Sequence, residues 1–204
     1  MLDNYGEHRR DFHYYMMSAY LGREPKTNYG QALALQPDSE RALAGYARAL
    51  FHEEAYQEAL ENYDKLLVLQ SDKKSYLLNK AVCLTNLKRY DEAERLLFRL
   101  NYEEEDDANV NRVLAWTLTS NGKYEQAVKF YHQLLSAEKN SADDLLNYGF
   151  CLWFSGHIDD AADCFHRYLL EIGEPKESII ENELDLIREK GITEPEIQMM
   201  LYIL

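Results

Sequence analysis

Residues 77–100 read LLNKAVCLTNLKRYDEAERLLFRL, and the spacing of their apolar positions decides the fold. Leu77, Ala81 and Leu84 fall at helical intervals, the pattern pauses, and Tyr90, Ala93, Leu97 and Leu100 take it up again. Two amphipathic helices joined by a short turn satisfy that spacing. The same pattern returns every 34 residues. Small residues stand at Ala47, Ala81, Ala115 and Gly149, leucines at Leu50, Leu84, Leu118 and Leu152, and alanines at Ala59, Ala93, Ala127 and Ala161. Larger apolar residues keep the same register at Tyr56, Tyr90, Tyr124 and Ile158, at Tyr63, Leu97, Tyr131 and Phe165, and at Leu66, Leu100, Leu134 and Tyr168. Turn residues fill two of the pauses, Asn121-Gly122-Lys123 and Ser155-Gly156-His157. A fixed period of this length marks one supersecondary unit, repeated and stacked.

The unit resembles the tetratricopeptide repeat, whose 34-residue pattern is W-x2-L-G-x2-Y followed by A-x3-F and a closing Pro. Leu145-x2-Tyr148-Gly149-x2-Leu152 and Ala161-x3-Phe165 carry the resemblance in the fourth copy. Leu43, Leu77, Asn111 and Leu145 stand where the family has Trp, and the closing Pro is absent from these four copies. Pro37 does occupy that place 34 residues before Ser71, with Tyr29, Ala32 and Leu33 ahead of it. Residues 7–37 therefore read as a degenerate first helix pair, its second helix starting late with Pro25 in the first turn. Residues 40–173 form four clear repeats and residues 176–204 C-terminal capping helices, all in one domain. The resemblance implies an all-α fold, a right-handed α-solenoid of stacked antiparallel helix pairs.

Composition agrees. Nine glycines and four prolines in 204 residues suit continuous helices. No run of 18 apolar residues occurs, and the N-terminus lacks the basic start and apolar stretch of a secretory signal. A cytoplasmic location is the simplest expectation. Three cysteines, Cys83, Cys151 and Cys164, do not make a disulfide framework, and His157, Cys164 and His166 match no metal-ligand spacing. No phosphate-binding loop, H-E-x-x-H or G-x-S-x-G motif is present, so neither an enzyme nor a cofactor site is expected. Residues 1–100 carry 15 acidic and 14 basic side chains, residues 101–204 carry 21 and 8. An acidic balance of that kind argues against nucleic acid as a ligand. Glu103-Glu104-Glu105-Asp106-Asp107 reads as a solvated loop leading into a helix, where negative charge is favoured. Asp143-Asp144 and Asp159-Asp160 read as sitting at or near helix N-termini, where negative charge offsets the orphan amides and the helix dipole.

The resemblance also implies where partners bind, since the first helix of each pair lines the concave face in that family. Side chains turned away from the paired helix then form the groove. They include Arg41, Arg48 and Phe51 in the first clear copy, Asn79 and Val82 in the second, Asn109, Arg112 and Trp116 in the third, and Phe150, Trp153 and Phe154 in the fourth. The groove reads basic at its start and aromatic at its end. Arg48, Asn79 and Arg112 match only partly the residues with which one subclass grips chaperone C-termini, so chaperone binding is not expected.

At the tail, Ile179, Ile180, Leu184, Leu186 and Ile187 suggest one helix ended by Gly191. Thr193-Glu194-Pro195-Glu196 then reads as a capping box opening another, which runs to Leu204. Seven of the last eight residues are apolar, so this helix must be buried against its own chain, a second copy or further sequence. The resemblance implies a non-catalytic scaffold or adaptor that binds a protein or peptide segment in its groove, without membrane insertion. Alternatives are self-assembly as a homodimer through residues 193–204, or a regulatory domain of a larger protein. For Trp153 and Phe154 an open site and a cover by the last helices both remain.

Overall fold

The computed structural model describes residues 11–104, 107–136, 141–173, 175, 177–179 and 187–203. All regular structure among these residues is α-helical. The chain divides into two compact units, Met1–Leu100 and Asn101–Leu204. The first holds α1 (Phe12–Tyr20), α2 (Pro25–Leu35), α3 (Glu40–His52), α4 (Tyr56–Leu69), α5 (Lys74–Asn86) and most of α6 (Tyr90–Glu103). The second holds α7 (Ala108–Ser120), α8 (Tyr124–Ser136), α9 (Ala142–Phe154), α10 (Ile158–Ile172) and α11 (Glu194–Ile203). Consecutive helices pack as expected of stacked hairpins: α1 through α5 in the first unit, and α7 through α10 in the second.

The columns form the core. Ala47, Ala81 and Ala115 are fully buried, as are Ala59, Ala93, Ala127 and Ala161, and the column leucines are close to it. Small side chains on both helices of a hairpin let the backbones approach, and the aromatic and leucine columns fill the space on either side. Helix starts carry their own caps. The Asp11 carboxylate accepts from the Tyr14 amide at 2.9 Å, the Ser39 hydroxyl from Ala42 at 3.3 Å, and Asp107 from Asn109 and Val110 at 2.8 and 3.0 Å. Pro25 opens α2, as its position in the sequence implied.

Every hairpin turn from α3 onward is built alike. The carbonyls of the column leucines Leu50, Leu84, Leu118 and Leu152 accept from the amides of Ala55, Arg89, Lys123 and His157 at 2.8–2.9 Å. This six-to-one closure needs a left-handed residue just before the donor. Gly122 and Gly156 supply it, but the other two copies place Glu54 at φ 59° and Lys88 at φ 58° there. A side chain in that conformation costs roughly 1 kcal/mol. Glu54→Gly is therefore expected to stabilise the chain by about 0.5 kcal/mol once the greater freedom of glycine in the unfolded chain is subtracted. A urea midpoint unchanged or lowered in Glu54→Gly would contradict it.

Candidate functional site

In the first unit, the first helices of successive pairs line one cleft of about 810 Å³. Arg41 and Arg48 of α3 and Asn79 of α5, all exposed, border it. Phe51 and Val82 are half-buried and do not line it; the Phe51 ring instead packs edge-on against Tyr56, centroids 5.4 Å apart. One wall went unread in the sequence. Phe12, Met17 and Tyr20 of α1 line the same cleft, Tyr20 being 79% exposed. Their i, i+5, i+8 spacing was the available signal, obscured because the first pair lacks the alanine and leucine columns. Met16 also lines the cleft and packs on the core cluster of Ala19, Tyr29 and Ala49.

Polar contacts along this cleft are unevenly committed. Glu40 accepts from Lys73 at 2.8 Å, from the Tyr76 hydroxyl at 2.7 Å and from Gln70 at 2.7 Å, which ties α3 to α5. The Lys73 hydrogen bond, aided by Tyr76, holds the Glu40 carboxyl below its ordinary value. Arg41 and Arg48 make no hydrogen bond or ion pair among the described residues.

The second unit treats its first helices differently. Arg112 is only partly exposed, and its guanidinium makes two bonds to Asp144, Nε to Oδ1 at 2.6 Å and a terminal nitrogen to Oδ2 at 2.8 Å. Asp144 is fully buried and also accepts from the backbone amide of Ser141 at 2.9 Å, capping α9. Burial alone would push this carboxyl up; Arg112 and the Ser141 amide outweigh burial and hold it below the usual carboxylate range. Arg112 therefore fastens α7 to α9, and its role in the groove reading is corrected: the charge is already satisfied.

Two further groove residues are corrected by burial. Phe150 is 1% and Trp153 5% exposed, so neither meets solvent as an open anchor. The Phe150 ring lies between Phe165 at 5.1 Å and Phe154 at 5.8 Å. Asn109 is exposed, and Trp116 and Phe154 are half-buried.

The tail folds onto the same unit. Lys190 Nζ donates to the carbonyls of Thr119 at 3.2 Å and Ser120 at 2.6 Å at the end of α7, where the Thr119 carbonyl also accepts from the Gly122 amide at 3.0 Å. Its ammonium stands 6.0 Å from the rings of both Tyr124 and Phe154. One half of the expected capping box is present: Glu196 accepts from the Thr193 amide at 2.7 Å, and the Thr193 hydroxyl donates to the same carboxylate at 2.6 Å. Ile197 and Met200 of α11 are buried, whereas Met199 and Tyr202 are exposed. Ile180, Leu184, Leu186 and Leu204 lie outside the described residues.

The cysteines are free thiols within the helical core. Burial pushes Cys83 up to about 12 and Cys164 to about 11, and raises Cys151 as well. A thiol so placed is a poor nucleophile. All three are expected to react with an aromatic disulfide reagent at rates set by unfolding: slowly in buffer, fully in denaturant. Rapid labelling of one thiol in buffer would overturn that. Among the described residues no group of three potential metal ligands occurs, and no helix is long and apolar enough to cross a membrane.

With the repeats and their surfaces in place, sequence comparison decides the family. The model described as Intraflagellar transport protein 56 matches residues 43–175. The chain belongs to the intraflagellar transport protein 56 family. Solved structures show the tetratricopeptide fold from a second side. MamA residues 41 to the end, from Desulfovibrio magneticus RS-1, aligns with TM-score 0.65 and 17% identity over 78% of this chain and 92% of that one. TTC0263, a thermophilic tetratricopeptide protein of Thermus thermophilus, aligns with TM-score 0.63 and 17% identity over 88% and 95%. YrrB, described as a TPR protein with an unusual peptide-binding site, aligns with TM-score 0.58 and 17% identity over 78% and 82%. No curated protein matches the sequence. This member of the intraflagellar transport protein 56 family is thus a tetratricopeptide protein, and the family supports a general role as an interaction scaffold.

Proposed function

We propose that the chain is a non-catalytic scaffold that holds a protein or peptide segment against the first helices of its repeats. The cleft bordered by α1, α3 and α5 carries this reading, because it is concave, mixed in polarity and edged by two cations that make no hydrogen bond or ion pair among the described residues. In the second unit Asn109 and the accessible part of Trp116 belong to the same kind of surface; Arg112, Phe150 and Trp153 serve the fold. The family description suggests intraflagellar transport as the setting. The test is retention of a partner by the parent chain and by an Arg41→Glu, Arg48→Glu variant of equal helicity and melting. Equal retention by both sinks the reading.

The outward face of α11 favours a second reading. Met199 is 45% and Tyr202 89% exposed on a helix whose opposite side is buried, a stripe that suits pairing with a second copy. Sedimentation decides: a dimer turned monomeric by Tyr202→Arg supports pairing, and a parent chain monomeric at high concentration excludes it.

A further inference from the structure

We infer that the cleft of the first unit takes an internal acidic segment of a partner protein, with two carboxylate side chains on Arg41 and Arg48 and an apolar side chain between them. The inference rests on the scaffold reading and names its ligand.

Arg41 and Arg48 are seven residues apart on α3, so they stand on one face, separated by about 10 Å along the axis. Between them on that face lie Ala44 and Gly45. Neither projects beyond a methyl group, and the Tyr29 ring fills the space a side chain on Gly45 would need, its nearest atom 2.4 Å from the place of a Cβ. The result is a shallow trough, floored by Ala44, Gly45 and Tyr29 and ended by a guanidinium on each side. Met17 and Tyr20 stand along its α1 wall, half or more exposed.

Each feature selects part of the ligand. Guanidiniums pair best with carboxylates, two-pronged and charge-assisted. Lys73, on the same cleft, is already held by Glu40 at 2.8 Å, and Lys26 by Glu53 at 2.8 Å, whereas Arg41 and Arg48 have no such partner among the described residues. Two cations carried at backbone positions about 10 Å apart along the axis call for two anions, which a single terminal carboxylate cannot supply. An extended peptide advances about 3.3 Å per residue, so acidic residues two to four positions apart span the distance. The apolar side chain between them meets the small floor and the Met17 and Tyr20 wall. Residues 1–100 are near neutral in charge, so the acidic excess of residues 101–204 does not sit in the sequence that builds this cleft.

Panning a random peptide library, each peptide joined to its carrier at the C-terminus so that no terminal carboxylate is free, tests the inference on the whole chain. Peptides with two acidic residues two to four positions apart around an apolar one should be enriched. Arg41→Glu with Arg48→Glu should weaken them by about tenfold or more, and added salt should weaken them further. Enriched peptides that lack the acidic pair, or that bind parent and variant equally, overturn the acidic ligand and leave the scaffold reading standing. Absence of any enriched peptide overturns both. A parent chain that is dimeric where the double variant is monomeric assigns the cleft to a second copy and removes the partner.

Discussion

Arg112→Ala is expected to destabilise the second unit by about 3–4 kcal/mol at pH 7, more than Asp144→Ala at about 2 kcal/mol. The asymmetry follows from where each group sits. Removing Arg112 leaves a fully buried carboxylate held by Ser141, through its amide and its hydroxyl, with no cation beside it, whereas removing Asp144 leaves a guanidinium with 32% of its side chain already in solvent. In the parent, the Asp144 carboxyl is held below its unfolded value, so its contribution is complete above about pH 4 and is lost as pH falls through the folded value. In Arg112→Ala, burial without the guanidinium raises that carboxyl, and protonation relieves the variant as pH falls. The gap between parent and Arg112→Ala therefore narrows in acid. Urea midpoints at pH 7 and pH 4 measure it; a loss under about 1 kcal/mol, or a gap independent of pH, would return Arg112 to the set of free groove cations.

The second large effect concerns one glycine. Gly149→Ala exchanges a poor helix former for the best one, a gain of about 1 kcal/mol on propensity alone. Here the Phe165 ring occupies the space: a Cβ at Gly149 would stand 2.5, 2.7 and 3.1 Å from three of its atoms. Phe165 is fully buried and touches Phe150, so the ring has nowhere to retreat. Overpacking outweighs propensity, and a net loss of about 2 kcal/mol is expected. Phe165→Leu in the Gly149→Ala background should recover part of that loss by removing the clash. A stabilised single variant would show that α9 and α10 can move apart.

Much of this was legible in the residues. The 34-residue columns led to the helix pairs, Pro25 to the late start of α2, Gly122 and Gly156 to two turns, and Thr193 with Glu196 to the opening of α11. All are decided by contacts within a few residues or by a repeated spacing. Glu54 and Lys88 were not legible as left-handed, because nothing in their side chains announces that conformation. The turn imposes it through the six-to-one bond to the column leucine. Gly149 read as one more small residue in a column that elsewhere holds alanine. The pressure of Phe165 on it depends on how closely α10 crosses α9.

The period by itself determined the fold class, the pairing of the helices and the column residues of the core, because a stacked repeat leaves one place for each apolar column. Tertiary structure alone decided which groove residues remain open. Arg41 and Arg112 both read onto the groove face of a first helix, yet Arg112 meets Asp144, 32 residues away, and Arg41 meets no such partner among the described residues. Phe150 and Trp153 read as an aromatic anchor, yet they are buried in a unit whose tail returns to the end of α7 through Lys190. Spacing along a helix fixes the face on which a side chain lies. What covers that face is set by contacts between segments tens of residues apart, which the period does not encode.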